Sequence, residues 1–404
     1  MRGFLRRSTV DEALAWLDQH LAPLESETVP LAEGAARVLA ADAVSPVDVP
    51  GFDRAMMDGF ALRASDTFGA TPYNRLRLRI VGTALAGQGF AGAVQPGEAV
   101  QIMTGAPIPN GADAVLPAEA AQQQGESVDA TDEVSPGKHV GRRGEDVRAG
   151  DVVLSAGRIL RPQDLGVLSL IGMPQVRVVR CPRVRVVVTG NELLPAGSPA
   201  QGFRLADANG PMLAALVARD GGVAACELVP DEPDRLLDAL RAEGDVVIVS
   251  GGSSVGCEDF APQLLSQHGE LAVHGIAIRP SSPTGMGRLD GRLVFLLPGN
   301  PVSCLCAYDF FAGRAIRALG GRPKEWPHRR LSAPLARKLV SQIGRVDYAR
   351  VRLVRGTEGP TVEPLSIGGA SILTSTVRAD GFVIVPADSE GYPAGAAVDV
   401  LLYD

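Results

Sequence analysis

Apolar and polar positions change rhythm along the chain, and the rhythm divides it. Residues 8–20 follow a helical spacing, with Val10, Leu14 and Leu17 as an apolar stripe and Ser8 and Asp11 as an S-x-x-D start. A second short helix is expected over 31–39. From 45 to about 141, short β-like runs at 76–81, 99–103 and 112–116 alternate with Gly- and Pro-rich turns. Residues 161–172 return to a helical pattern, with Pro162 at its first position and Gly172 past its end. Helical outer segments around a strand-rich middle predict a β-rich domain inserted into a helical one.

Residues 183–320 read as βαβ repeats. Strands are expected at 183–189, 223–229, 245–250 and 293–297, and helices at 207–220, 233–242 and 303–319. Asn209 is a candidate cap for the first of these helices. Strands alternating with helices imply a mainly parallel sheet, whose ligands bind beyond the carboxyl ends of the strands. After a Pro- and Arg-rich link at 321–330, alternation and frequent turns predict a small all-β domain up to 404.

Composition sharpens this picture. The 404 residues include 47 Gly and 30 Pro, close to a fifth of the chain. That excess marks many turns but stays under the ~25–30% of low-complexity chains. A net charge of −7 disfavours nucleic acid as a partner. No apolar run is long enough to span a membrane, and the basic start lacks the apolar core of a signal peptide. Five cysteines without a CxxC pair read as free thiols of a reducing compartment, so a cytoplasmic location is expected.

Three segments follow predicted strand ends: Thr189–Leu193 (TGNEL), Ser250–Gly256 (SGGSSVG) and Pro298–Ser303 (PGNPVS). Small residues let backbone N–H groups approach a phosphate, and hydroxyls add donors. Three such turns on one rim predict a phosphate-type pocket, although neither a Walker A nor a G-x-G-x-x-G spacing is present. Acids recur near them: Glu192, Asp231 and Asp259, with Asp58 in the β-rich region. A polyphosphate substrate brings Mg²⁺, which takes carboxylates together with phosphate oxygens. Each acid alone could equally cap a helix or face solvent. Arg279 with Ser281, Ser282 and Thr284 is a candidate oxyanion site, and Arg345 and Arg350 could add positive charge or stand as exposed strand arginines.

These residues resemble a known family. Asp48–Ala61 (DVPGFDRAMMDGFA) is similar to its DVPxFDxSxMDGYA signature, and Ile102–Val115 to its MTGAPxPxGADAV segment. GEDV at 144–147, TGNEL, SGG and LPGNPVS come next, in the family order. The family is molybdopterin molybdenumtransferase (MoeA), with the E domain of gephyrin among its relatives, and the similarity spans nearly the whole chain. It implies a multi-domain α/β plus β fold: a discontinuous helical domain (1–45 and 142–180), a β-rich insertion (46–141), a MogA-like α/β molybdopterin-binding domain (181–327) and a C-terminal β domain (328–404). Length alone is compatible with two to four domains, and the resemblance narrows this to four.

The resemblance further implies a homodimer that takes adenylylated molybdopterin and molybdate, hydrolyses the adenylate link with Mg²⁺, and releases AMP in molybdenum cofactor biosynthesis. A MogA-like adenylyltransferase and apo-molybdoenzymes are the implied protein partners. The family's catalytic positions fall on Asp58, Thr104, Glu192, Asp231 and Asp259, and its metal positions on Asp58, Asp146, Glu192 and Asp259. Its substrate-binding positions fall on Gly251, Gly252, Ser253, Pro298, Gly299, Asn300, Pro301, Arg279, Ser282, Arg350 and Ser371. Two departures stand out: Asn191 replaces the Asp of TGDEL, and Arg279 and Ser282 stand in a segment that is lysine-rich in the family. A cofactor-binding scaffold on the same fold is the alternative reading; an adenylyltransferase that uses the α/β domain alone would leave the MDG and TGA segments without a role.

Overall fold

The computed structural model describes residues 7–252, 260–356, 359–365 and 372–403. The chain forms two compact units. One comprises 1–27, 36–38 and 178–404; the other comprises 28–35 and 39–177.

The larger unit is built on a six-stranded sheet in the order Val223–Val229, Arg183–Thr189, Val246–Ser250, Arg292–Leu297, Gly285–Leu289, Glu270–His274. The first four strands run parallel and the last two pair antiparallel. The expected βαβ repeat is present, and the two antiparallel edge strands add to it. Residues Val246–Ser250 are buried along their whole length, because helices cover both faces. Helix Val10–Asp18 packs Val10, Ala13 and Leu17 into this core. Its capping box is formed by Thr9 and Glu12, one residue later than the Ser8 start expected from sequence, because Ser8 bridges to Ile276 instead.

The long helical stretch begins at Pro301 rather than 303 and runs to Leu319 with a π turn over Tyr308–Ala312. That widened turn carries buried Asp309 into a charged network. Asp220 accepts from Arg317 (2.9 Å) and Arg219 (2.9 Å), and Arg219 also reaches Asp309 (2.8 Å). Tyr348 donates to Asp309 (3.2 Å) and shares a hydroxyl contact with Tyr403 (2.7 Å). Tyr348 stacks on Phe382 with centroids 3.9 Å apart. The network thereby fastens the C-terminal sheet, ordered Ile278–Arg279, Val346–Gly356, Gly381–Val385, Ala397–Leu402, Arg330–Pro334, to the α/β core.

The smaller unit contains a second six-stranded sheet: Ala114–Pro117, Gly59–Leu62, Glu98–Ile102, Leu76–Ala84, Ser127–Ala130, Ala121–Gln124. Helix Pro162–Leu170 opens with Asp164, whose carboxylate accepts from Arg158 and Arg161. The helix expected over 31–39 is not formed. Only a 3₁₀ turn exists, Leu31–Glu33, because Gly34 ends it and Ala36 adopts φ +61°, which a right-handed helix forbids. Among the described residues no helix is long and apolar enough to cross a membrane.

Asp220 is fully buried, so removing a guanidinium from it leaves a charge poorly compensated. Arg317→Ala is expected to destabilise the larger unit by on the order of 3 kcal/mol. Urea unfolding measures this, and a loss within error of zero would remove the network from any structural role.

Candidate functional site

Three parallel strands end side by side at Thr189, Ser250 and Leu297, and the turns that leave them form one cavity of about 650 Å³. It is lined by Gly251, Gly252, Pro298, Gly299, Asn300, Pro301, Glu192 and Asp231, eight of the residues expected from sequence. Asp207, Asn209, Thr189 and Ser250 complete it, and the resemblance had supplied none of these four.

The turns fit because glycine allows backbone to lie on backbone. Gly251 has φ +106°, and a Cβ there would stand 2.1 Å from the Thr189 carbonyl oxygen. Gly299 sits against Gly251, with the ideal Cβ position 3.5 Å from its Cα.

Side chains then fix the turns. Asp231 accepts from the Thr189 hydroxyl and from the Asn191 N–H (3.0 Å), and Asn191 Oδ1 accepts from the Asp231 N–H (3.3 Å). Asn191 therefore serves as an acceptor here, which the family's Asp would do equally. Both carboxylate oxygens of Asp231 are committed to protein donors. Asp207 is committed likewise: it accepts from Asn209 N–H (2.8 Å) and Gly210 N–H (2.9 Å), so it, and not Asn209, covers the start of helix Asn209–Arg219. Asn209 instead sends its side-chain nitrogen to the Gly299 carbonyl (2.7 Å) and to Ser250 Oγ (2.8 Å). Glu192 is exposed, and among the described residues its carboxylate has no partner.

The remaining expected residues lie elsewhere. Arg279 is ion-paired with buried Asp347, which also accepts from Ser341 (2.6 Å). Ser282 Oγ is buried with no hydrogen-bond partner among the described residues, and its neighbour Pro283 lines the cavity. Arg350 is 3% exposed and donates to Ser375 Oγ (2.8 Å), so it is a buried strand residue rather than an exposed one. Ser253, Asp259 and Ser371 lie outside the described residues. Buried Cys304, beneath Ser250, has its thiol pushed up to about 12 by desolvation, which keeps it unreactive.

In the smaller unit, Asp58 Oδ1 accepts from Thr104 Oγ1 (2.6 Å) and Thr104 N–H (2.7 Å). These two bonds, the hydroxyl first, hold the Asp58 carboxyl below the usual carboxylate range. Asp146 is exposed beside a separate cavity of about 310 Å³ with Asp48, Phe52 and Arg54. Among the described residues no three His, Cys, Asp or Glu side chains come together as a metal-holding group.

The fold and this cavity define an α/β ligand-binding domain carried in a multi-domain chain. Comparison with known proteins extends this. Residues 8–172 match the MoeA N-terminal region (domain I and II), 185–318 the Probable molybdopterin binding domain, and 332–403 the MoeA C-terminal region (domain IV). Molybdopterin molybdenumtransferase 2 of Mycobacterium tuberculosis is 36% identical over 92% of this chain and 94% of its own. Molybdopterin molybdenumtransferase of Staphylococcus aureus is 31% identical over 97% and 95%. The crystal structure of the molybdopterin biosynthesis MoeA protein from Pyrococcus horikosii superposes with a TM-score of 0.84 at 34% identity, covering 98% of this chain and 99% of that one. The chain belongs to the molybdopterin molybdenumtransferase (MoeA) family.

Two outcomes test the geometry. Gly251→Ala is expected to displace the turn and abolish ligand binding in the cavity, since it combines positive φ with a backbone clash; binding at the native level would show that the turn tolerates a side chain. A depressed carboxyl contributes stability above its ordinary pKa and loses it as pH falls through the lowered value. Thr104→Ala removes the hydroxyl bond, so Asp58 is expected to titrate at higher pH, read by carbon-13 NMR of the carboxyl group; an unmoved titration would discard this cause.

Proposed function

We propose that the chain is a molybdopterin molybdenumtransferase. It takes adenylylated molybdopterin and molybdate, hydrolyses the adenylate link with Mg²⁺, releases AMP and leaves molybdenum on the dithiolene. Glu192 is the observation that carries this reading: an unpartnered carboxylate facing a strand-end cavity that has no basic side chain among its described lining. An anionic substrate is repelled by such a wall unless a cation accompanies it. Mg²⁺ needs only one or two carboxylates beside phosphate oxygens, so Glu192 suits it although no three-residue metal group is present among the described residues.

When bound, Mg²⁺ neutralises charge on the phosphoanhydride and polarises it. Glu192 holds that ion, with Asp259 as the second acid that the family pattern implies. Asp231 positions Thr189 and Asn191 rather than binding metal, because its oxygens are already used. Asp58, fixed by Thr104, and Asp146 supply the acids of the β-rich region. Arg350 with Ser371 and Ser282 provides donors for molybdate, while Arg279 acts through its pairing with Asp347. The division into four domains, a homodimer, a cytoplasmic location, and exchange with an adenylyltransferase and with apo-molybdoenzymes complete the proposal.

The experiment supplies adenylylated molybdopterin, molybdate and Mg²⁺, and measures AMP release and reconstitution of an apo-molybdoenzyme. Wild type is expected to do both and to stop when Mg²⁺ is chelated. Glu192→Gln is expected to lower turnover by roughly 10²–10³-fold, the effect of losing one electrostatic stabiliser. Native turnover in Glu192→Gln would overturn the metal-holding role, and absence of AMP release by wild type would overturn the enzyme reading.

A further inference from the structure

The strand-end cavity is selective by what it lacks. No Lys, Arg or His lines it among the described residues. Residues 253–259, SSVGCED in sequence, contain none either. The one helix start that enters it with more than two turns, Asn209–Arg219, is covered by the Asp207 carboxylate, so its N–H groups are already bonded. This excludes the simple reading of a phosphate cradle drawn from the Gly/Ser turns. A wall of this kind suits an uncharged ligand that brings hydrogen-bond donors.

Asn209 gives that wall a specific acceptor. The residue is 6% exposed and stands in the lining. Its orientation is fixed chemically: the Gly299 carbonyl and Ser250 Oγ lie 2.7 and 2.8 Å from one end of the carboxamide, and a carbonyl oxygen can only accept, so that end is the nitrogen. The other end, Oδ1, is buried, and no donor among the described residues reaches it. A buried acceptor of fixed direction favours a ligand N–H and penalises a ligand oxygen at the same place.

We propose that Asn209 is a specificity-determining residue: its Oδ1 accepts from the amino or ring N–H of the 2-amino-4-oxo fused pyrimidine of the substrate, and the cavity takes this ring end while the phosphates stay at the Glu192 rim. The inference rests on the transferase reading for the identity of the substrate, and adds which end of it enters and what reads it. Asp207 and Asp231 contribute by excluding free anions, and the Gly299 and Ser250 bonds hold the reading group still.

The test uses the full chain and three probes in Mg²⁺-free buffer: pterin, lumazine (the same ring with oxygen in place of the 2-amino group) and AMP. Pterin fluorescence and calorimetry give the affinities at low and high salt. Wild type is expected to prefer pterin over lumazine by roughly ten-fold or more, the scale of one discriminating hydrogen bond. Pterin affinity should be insensitive to salt, and AMP should bind measurably only when Mg²⁺ is added. In Asn209→Ala the pterin-to-lumazine ratio should fall towards one. The ratio reads recognition separately from any loss of stability, and the wild-type comparison needs no variant. Equal binding of pterin and lumazine by wild type overturns the proposal, as does a ratio unchanged in folded Asn209→Ala. Mg²⁺-free AMP binding as tightly as pterin would assign the cavity to the adenylate end instead. Molybdenum transfer by a wild type that shows no pterin preference sinks this inference alone; absence of transfer sinks the transferase reading.

Discussion

The cavity exists because three chain segments turn at the same level with almost no side chain between them. Gly251 lies so close to the Thr189 carbonyl that any Cβ would overlap it, and Gly299 lies against Gly251. Backbone packed this tightly leaves its polar groups little access to water, so each must find a protein partner. Gly251 N–H goes to Leu297 O (3.1 Å), Cys304 N–H to Asn300 O (2.9 Å), and the Gly299 carbonyl to Asn209. The close approach therefore dictates the hydrogen bonds, and the hydrogen bonds dictate which side chains surround the ligand.

A second constraint supports the first from below. The stretch Pro301–Leu319 starts in the cavity wall and ends in the charged network around Asp309 and Asp220. Its π turn adds one residue to the helical cycle, which rotates the later turns of the stretch relative to the earlier ones. The first turn can thus face the cavity with Val302, Ser303 and Cys304 buried, while Asp309 meets Arg219 and Tyr348. Through Tyr348 and Phe382 the same stretch holds the C-terminal sheet, on whose strands Arg350 and Asp347 lie. Buried ion pairs of this sort cost desolvation, so their retention is better read as fixing one arrangement of the two sheets than as a net source of stability.

Much of this was legible in the chain because the strongest patterns are local. The runs at 183–189, 245–250 and 293–297 are rich in apolar residues, as strands covered on both faces must be. TGNEL, SGG and PGNP come directly after them, and all three turns meet. What escaped was set by tertiary partners. The edge strands Glu270–His274 and Gly285–Leu289 have no clear alternation, since the sheet itself provides their pairing. The false helix at 31–39 has helical composition but is broken by one left-handed residue, Ala36. Asn209 read as a cap because it precedes Pro211, yet Asp207 two residues earlier takes that work and releases the carboxamide for the wall. No pattern within the sequence separates those two roles; only the position of Gly299 does.

Charge was the least legible property, and it changes the chemistry most. Gly- and Ser-rich turns at strand ends suggest a phosphate site when taken as isolated segments, because they are counted for their N–H groups. Assembled, they share one wall with three acids, Glu192, Asp207 and Asp231, and no described cation. Two of those acids are consumed in holding the turns, which makes them structural anions that any ligand must tolerate. A free polyphosphate is opposed by all three, a metal-bound one is opposed by fewer, and a neutral ring with donors is opposed by none. The net charge of −7 over the chain adds to the same ordering. The wall thus ranks the parts of one large substrate by charge, and in that ranking the end that enters deepest is the one that carries no phosphate.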